Sequence, residues 1–219
     1  MNVKALMAGG LIGYSAYLLA QKNKGETIDL TGSDSGKGSF LSNAATQATD
    51  FIESLSMGLL SIGNMNRAKP EMLSIPNVRA MLAVIRKGEG TSDANGYRRI
   101  FGGQLFNGFA DHPRVTVNKN GYKSSAAGAY QFLISSWDET KRVMGLKDFT
   151  PATQDLAALG RIAARGALDD VIAGRFLTAI KKLGKEWASL PYSPYGQPTQ
   201  TIQGAQSIYL ANNGTIATA

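Results

Sequence analysis

Residues 76–91 read PNVRAMLAVIRKGEGT. Pro76 stands where a first helical position tolerates proline, and Val78, Met81, Leu82 and Ile85 follow at i, i+3, i+4, i+7, the stripe of a helix that faces a core. Extending the stripe by four from Ile85 lands on Glu89. The acid therefore continues the buried face at the last turn, and the spacing predicts that it points inward at a cleft edge. Gly88 and Gly90 remove side chains on both sides of it, which permits a helix stop and the close approach of a bulky ligand. A carboxyl in partly apolar surroundings has a raised pKa and can act as a general acid near neutral pH. On local grounds alone, an ordinary acid at a glycine-rich helix end is the simpler reading.

Working outward, GYRRIFGGQLF (96–106) mixes β-favouring residues with glycines and ADHPR (110–114) is a turn, so a small sheet or looped lobe is expected after the helix. Helical patterns resume at Trp137, Thr140 and Met144 behind a Ser135-Ser136 cap, at Leu156, Leu159, Ile162 and Ala163 behind Thr150-Pro151 and ending at Gly166, and at Phe176, Ile180, Leu183 and Trp187. The class is α+β, predominantly helical, with the acid at the junction between a helical body and a short β region. That is the layout of a lysozyme-like cleft.

Composition narrows the chemistry. The 219 residues include no cysteine and one histidine, which excludes a disulfide framework, a thiol nucleophile and a Cys- or His-rich metal centre. Neither a metal nor a cofactor is expected. The net charge of +7 and pI near 9.6 favour anionic partners such as nucleic acid, lipid headgroups or the bacterial wall, without choosing among them.

Towards the N-terminus, residues 5–20 (ALMAGGLIGYSAYLLA) carry no charge and are flanked by lysines. The run is shorter than the ~20 residues that comfortably span a bilayer, yet no cleavage site follows closely, so an uncleaved membrane anchor over 1–24 is expected. Residues 25–39 are rich in Gly, Ser, Thr and Asp, as linkers are. Leu41, Ala44, Ala48, Phe51, Ile52, Leu55 and Leu59 then recur at helical period with Asp50 and Glu53 as the only charges, and the absence of Lys and Arg favours packing on protein over lying on a membrane. The organisation expected is an anchor (1–24), a linker with an amphipathic helix (25–70) and one packed domain (71–219).

Several ordered blocks carry a family resemblance: MLAVIRKGEGT (81–91), GYRRIFGGQLF (96–106), ADHPR (110–114), AAGAYQFL (126–133), WDETKRVMGLKDFTPATQD (137–155), RGAL (165–168) and WASLPYSPYGQ (187–197). From Val78 to about Asn213 the chain resembles the lambda-type phage endolysins, a family of peptidoglycan lytic transglycosylases. The resemblance implies that Glu89 is the catalytic acid and that Tyr130, Gln131, Tyr195 and Gln197 line the saccharide cleft. It also implies peptidoglycan as the partner, in place of nucleic acid. One departure is visible: the family commonly has Asp directly after the Gly-Tyr pair, and here Arg98 follows Tyr97. Asp93 and Asp111 are the remaining acids in loop-like sequence that a hydrolytic mechanism would need. Residues 1–70 lie outside the resemblance, and with an anchor at 5–20 the expected setting is a virion, in a viral membrane or among ejected proteins, or the host inner membrane and periplasm. A hydrolytic muramidase and a non-catalytic wall-binding protein are the alternatives.

Overall fold

The computed structural model describes residues 56–119 and 121–217. The anchor at 5–20, the linker and the first part of the amphipathic helix lie outside the described residues. Among the described residues no helix is long and apolar enough to cross a membrane.

Helix α1, Pro76–Gly88, is the centre of the molecule. Its predicted stripe is buried to the last member, with Val78, Met81 and Ile85 at 0 % exposure and Leu82 at 6 %. It packs against α3 (Pro151–Ala164), α4 (Leu168–Ile172) and α6 (Ile202–Ala211), so elements from both ends of the domain close on one apolar axis. Asn77 ties the start of α1 to the end of α4 and to the segment after α6: its Nδ2 donates to Ile172 O at 3.1 Å, and its Oδ1 accepts from Thr215 N at 2.8 Å.

Between α1 and α2 (Ile134–Met144) the chain forms the β lobe. Its two-stranded antiparallel sheet pairs β1 (Val117–Lys119) with β2 (Tyr122–Ser124), Val117 opposite Ser124. The 96–106 segment, expected to supply strands, makes only isolated bridges, Arg99 with Leu105 and Ile100 with Ala127. Gly102 and Gly103, at φ +89° and +97°, turn the chain there and prevent a regular ladder. Trp137, Phe149 and Phe132 pack edge-on beneath the lobe, with Trp137 and Phe149 centroids 4.6 Å apart, and Phe106 lies tilted against Phe149.

The helical boundaries follow local chemistry with two departures. Helix α2 begins at Ile134, one residue ahead of the expected serine cap, because the Ile134 N–H donates to Ser125 Oγ, a cap supplied from the preceding lobe. Helix α5, Phe176–Leu183, stops before Trp187. Gly184 follows it, and a Cβ there would meet Pro191 O at 2.6 Å, so the chain folds back over the helix end instead of continuing. Trp187 still reaches the core at 5 % exposure, through the turn.

The turn after α5 is clamped by a buried ionic cluster. Glu186 accepts from Arg161 Nε at 2.7 Å and from Arg165 Nε at 2.6 Å, while Arg161 also reaches Glu139 at 2.6 Å. With two guanidinium groups against it, the Glu186 carboxyl is held below its ordinary range despite burial. Residues 56–65 are helical, and Met65 and Ala68 are buried against the domain ahead of Glu71. Leu59 and Leu60, at 70 % and 65 % exposure, are not covered by the described residues.

Candidate active site

Glu89 caps α1. Its N–H donates to Ile85 O at 3.0 Å, Gly90 turns left-handed at φ +69°, and the Thr91 N–H returns to Arg86 O at 2.9 Å, the closed end that helices make with glycine in the left-handed position. Thr91, fully buried, donates its hydroxyl to Ala129 O at 2.5 Å. The turn bearing the acid is thereby tied to the 126–132 loop.

That loop is held in turn by Gln154 of α3, whose Oε1 accepts from Ala129 N at 2.8 Å and whose Nε2 donates to Phe149 O at 2.7 Å and Tyr97 O at 3.0 Å. A side chain at Gly128 would strike Gln154 Oε1 at 2.3 Å, so close approach of the two chains requires glycine there.

The Glu89 side chain is partly buried and its Oε1 accepts a hydrogen bond from Ser189 Oγ at 2.6 Å. Desolvation raises its pKa to about 7, and the serine bond, which favours the ionised form, opposes that rise. The acid is thus protonated over the lower part of the neutral range and able to lose that proton just above it, as an acid that later serves as base requires.

No other acid in the lobe is comparably placed. Asp93 is exposed and bonded to Arg99, and that bond holds its carboxyl below the ordinary range. Asp111 accepts from Trp137 Nε1 at 2.8 Å, Lys141 Nζ at 3.0 Å and Arg114, and these donors outweigh its desolvation and pull it well below the usual carboxylate range. His112, 3 % exposed, is a structural imidazole: Nε2 faces Phe132 O at 2.9 Å, Nδ1 accepts from Arg114 N, and burial lowers its pKa. Among the described residues no group of acids and histidines could hold a metal ion.

The other residues named from the sequence fall in two settings. Tyr130 is 2 % exposed and donates its hydroxyl to Asp155 Oδ1 at 2.6 Å, beside Tyr97, which donates to the same oxygen at 2.8 Å. Gln131 follows at φ +49°, half-buried, with Nε2 on Gly128 O at 2.9 Å and Arg99 O at 3.2 Å. Tyr195, partly buried, donates to Lys185 O at 2.8 Å, and Gln197 is exposed; both follow Ser189 in the segment that leads to α6. Arg98, where the resemblance leads one to expect Asp, donates to Phe106 O and Asn107 Oδ1 and so braces the lobe.

Sequence reasoning passed over Ser189, Gln200 and the Asp155 carboxyl beneath the two tyrosines. Ser189 and Gln200 lie far from Glu89 along the chain, and Asp155 sits within a regular helical stretch. The block WASLPYSPYGQ contains Ser189, but nothing in it announces a partner.

A mostly helical body, a small β lobe and, where they meet, an acid raised by desolvation give the chain the layout of a lysozyme-like protein. The sequence profile of the Endolysin family matches residues 79–216, and the chain belongs to that family. It is 43% identical to the endolysin of Escherichia phage lambda over 135 residues, covering 58% of this chain and 85% of the relative. It is 34% identical to the endolysin of Escherichia phage P2, covering 64% and 95%. Among solved structures, bacteriophage lambda lysozyme in complex with a chitohexasaccharide matches at a TM-score of 0.62 and 36% identity, covering 65% of this chain and 97% of that one. A second structure of lysozyme from bacteriophage lambda matches at 0.58 with the same identity and coverage. The fold is that of the lambda lysozyme.

Proposed function

We propose that this endolysin-family protein cleaves the β-1,4 bond between N-acetylmuramic acid and N-acetylglucosamine in peptidoglycan as a lytic transglycosylase, with Glu89 as its acid. One observation carries the reading: the Glu89 carboxyl is desolvated to a pKa of about 7 at the end of α1, while Asp93 and Asp111 are occupied by cationic partners and Asp155, also raised by desolvation, is engaged by the Tyr97 and Tyr130 hydroxyls. A hydrolase ordinarily needs a second carboxylate to activate water or attack the anomeric carbon. A transglycosylase does not, because the C6 hydroxyl of the muramic acid residue attacks the anomeric carbon within the same molecule, and that proximity replaces an activated water.

In this reaction Glu89 protonates the glycosidic oxygen, the glycosidic C–O bond breaks, and the C6 oxygen bonds to C1. The ionised Glu89 then takes the C6 hydroxyl proton, which restores the acid and leaves a 1,6-anhydromuramic end. Gln131, Tyr195 and Gln197 bind the saccharide at the cleft rim, and Tyr130 supports the loop that carries Gln131. The chitohexasaccharide bound by the lambda lysozyme supports a β-1,4-linked N-acetylhexosamine chain as the ligand. The apolar run at 5–20 tethers the enzyme to a membrane, of the virion or of the host, and the linker that begins at residue 25 gives the domain reach towards the wall, up to where Met65 and Ala68 pack on it.

The test is release of soluble fragments from purified peptidoglycan by the full-length chain and by Glu89→Gln. Release by the wild type alone is expected. Equal release by both overturns the assignment of Glu89, and saccharide binding without release by either makes the protein a wall-binding module.

A further inference from the structure

We propose that Ser189 is the positioning residue of the acid: its hydroxyl holds Glu89 Oε1, so the proton to be given to substrate sits on Oε2. This rests on the reading of Glu89 as the acid. A carboxylic acid carries one proton, and with Oε1 engaged as the serine's acceptor at 2.6 Å, the other oxygen bears it. Oε2 has no hydrogen-bond partner among the described residues and is not sealed from solvent, as an oxygen that must meet a glycosidic oxygen should be. Ser189 Oγ makes no second hydrogen bond among the described residues, so its hydroxyl serves the acid alone.

The segment carrying Ser189 is fixed from both sides. Ahead of it stand Glu186 in its ionic cluster and Trp187, whose Nε1 donates to Tyr130 O at 3.2 Å. Behind it, Leu190 is fully buried and the Gln200 N–H donates to Ser189 O at 2.8 Å. The Gln200 side chain then donates Nε2 to Val84 O at 3.1 Å, in the last turns of α1. Gln200 therefore clips the serine segment onto the helix that ends in Glu89. Gly88 leaves the room: a Cβ there would lie 2.4 Å from Gln200 Nε2 and 2.5 Å from Ser189 Oγ.

The arrangement favours the transition state over the ground state. While Glu89 is protonated, the serine bond is one between neutral groups. As the proton leaves Oε2, the acceptor becomes charged and the same bond strengthens without any rearrangement. Such a contact raises kcat and leaves substrate affinity nearly unchanged.

The experiment measures kcat, KM and their pH dependence on purified peptidoglycan for the full-length wild type, Ser189→Ala, Ser189→Thr and Glu89→Gln. Ser189→Ala is expected to lose roughly tenfold in kcat, the scale of one hydrogen bond to a charged group, with KM little changed. Its alkaline limb moves to higher pH, because a bond that favoured the carboxylate is gone, and Ser189→Thr restores both. Wild-type kcat and pH profile in Ser189→Ala, or a loss that Thr does not restore, overturns the proposal. If the alanine variant fails to fold, Ser189→Cys, whose thiol donates weakly, is read by the same criteria. Activity in Glu89→Gln sinks the assignment of the acid itself, whatever the serine variants do.

Discussion

A methyl group on Gly88 would stand 2.5 Å from Ser189 Oγ, so the residue before the acid is small because the residue bonded to the acid packs directly against it. In Gly88→Ala, Ser189 and the flexible end of Gln200 must both shift. The variant is expected to fold, since neither obstacle is backbone, and to lose roughly tenfold or more in kcat through misplacement of the acid. Steady-state kinetics beside a melting curve checks this; full activity would mean that the Ser189 contact is not needed.

The raised pKa of Glu89 has a stability consequence with a definite sign. Its folded value of about 7 lies above the ordinary 4.5, so the neutral form is favoured by folding. The contribution is fully present below pH 4.5 and is lost as pH rises to about 7. Glu89→Gln, neutral throughout, should gain stability relative to wild type between pH 5 and pH 9, by an amount on the order of 2 kcal/mol. Denaturant melts at the two pH values measure it, and an unchanged difference would contradict the desolvation of the acid.

Much of this was legible beforehand, for identifiable reasons. The stripe Val78, Met81, Leu82, Ile85 has one period and one buried face, so it gave both α1 and the inward direction of Glu89. Its partner Ser189 lies 100 residues away and is joined to it only by tertiary folding. The lobe was expected in the right region, but the sheet itself lies at 117–124, around the hairpin dipeptide Asn120-Gly121, because the left-handed Gly102 and Gly103 interrupt pairing in 96–106. The cap of α2 was misplaced because its acceptor, Ser125, comes from the preceding loop and not from the serines beside it.

Glu186 should be the costliest acid of the domain to remove. Glu186→Ala takes the shared carboxylate from Arg165 and from Arg161, 4 % exposed, which keeps only Glu139, and breaking a buried ion pair in this way costs about 3–5 kcal/mol. Thermal unfolding tests it. A loss under 1 kcal/mol would mean that water, not Glu186, satisfies the two guanidinium groups.

Asp93→Asn and Asp111→Asn separate one-acid from two-acid chemistry. Both variants are expected to keep kcat within about threefold of wild type per folded molecule, Asp111→Asn at reduced stability because Trp137, Lys141 and Arg114 all bond to that carboxylate. A loss of a hundredfold or more in either would make it the missing base of a hydrolase.

The most direct measurement is digestion of purified peptidoglycan in water enriched in oxygen-18, followed by mass spectrometry of the muropeptides. Attack by the C6 hydroxyl leaves 1,6-anhydromuramic ends, one water lighter than the reducing form and free of label, and these are the predicted products. Reducing ends carrying the heavy oxygen would show that water is the nucleophile and would contradict the one-acid account built on Glu89.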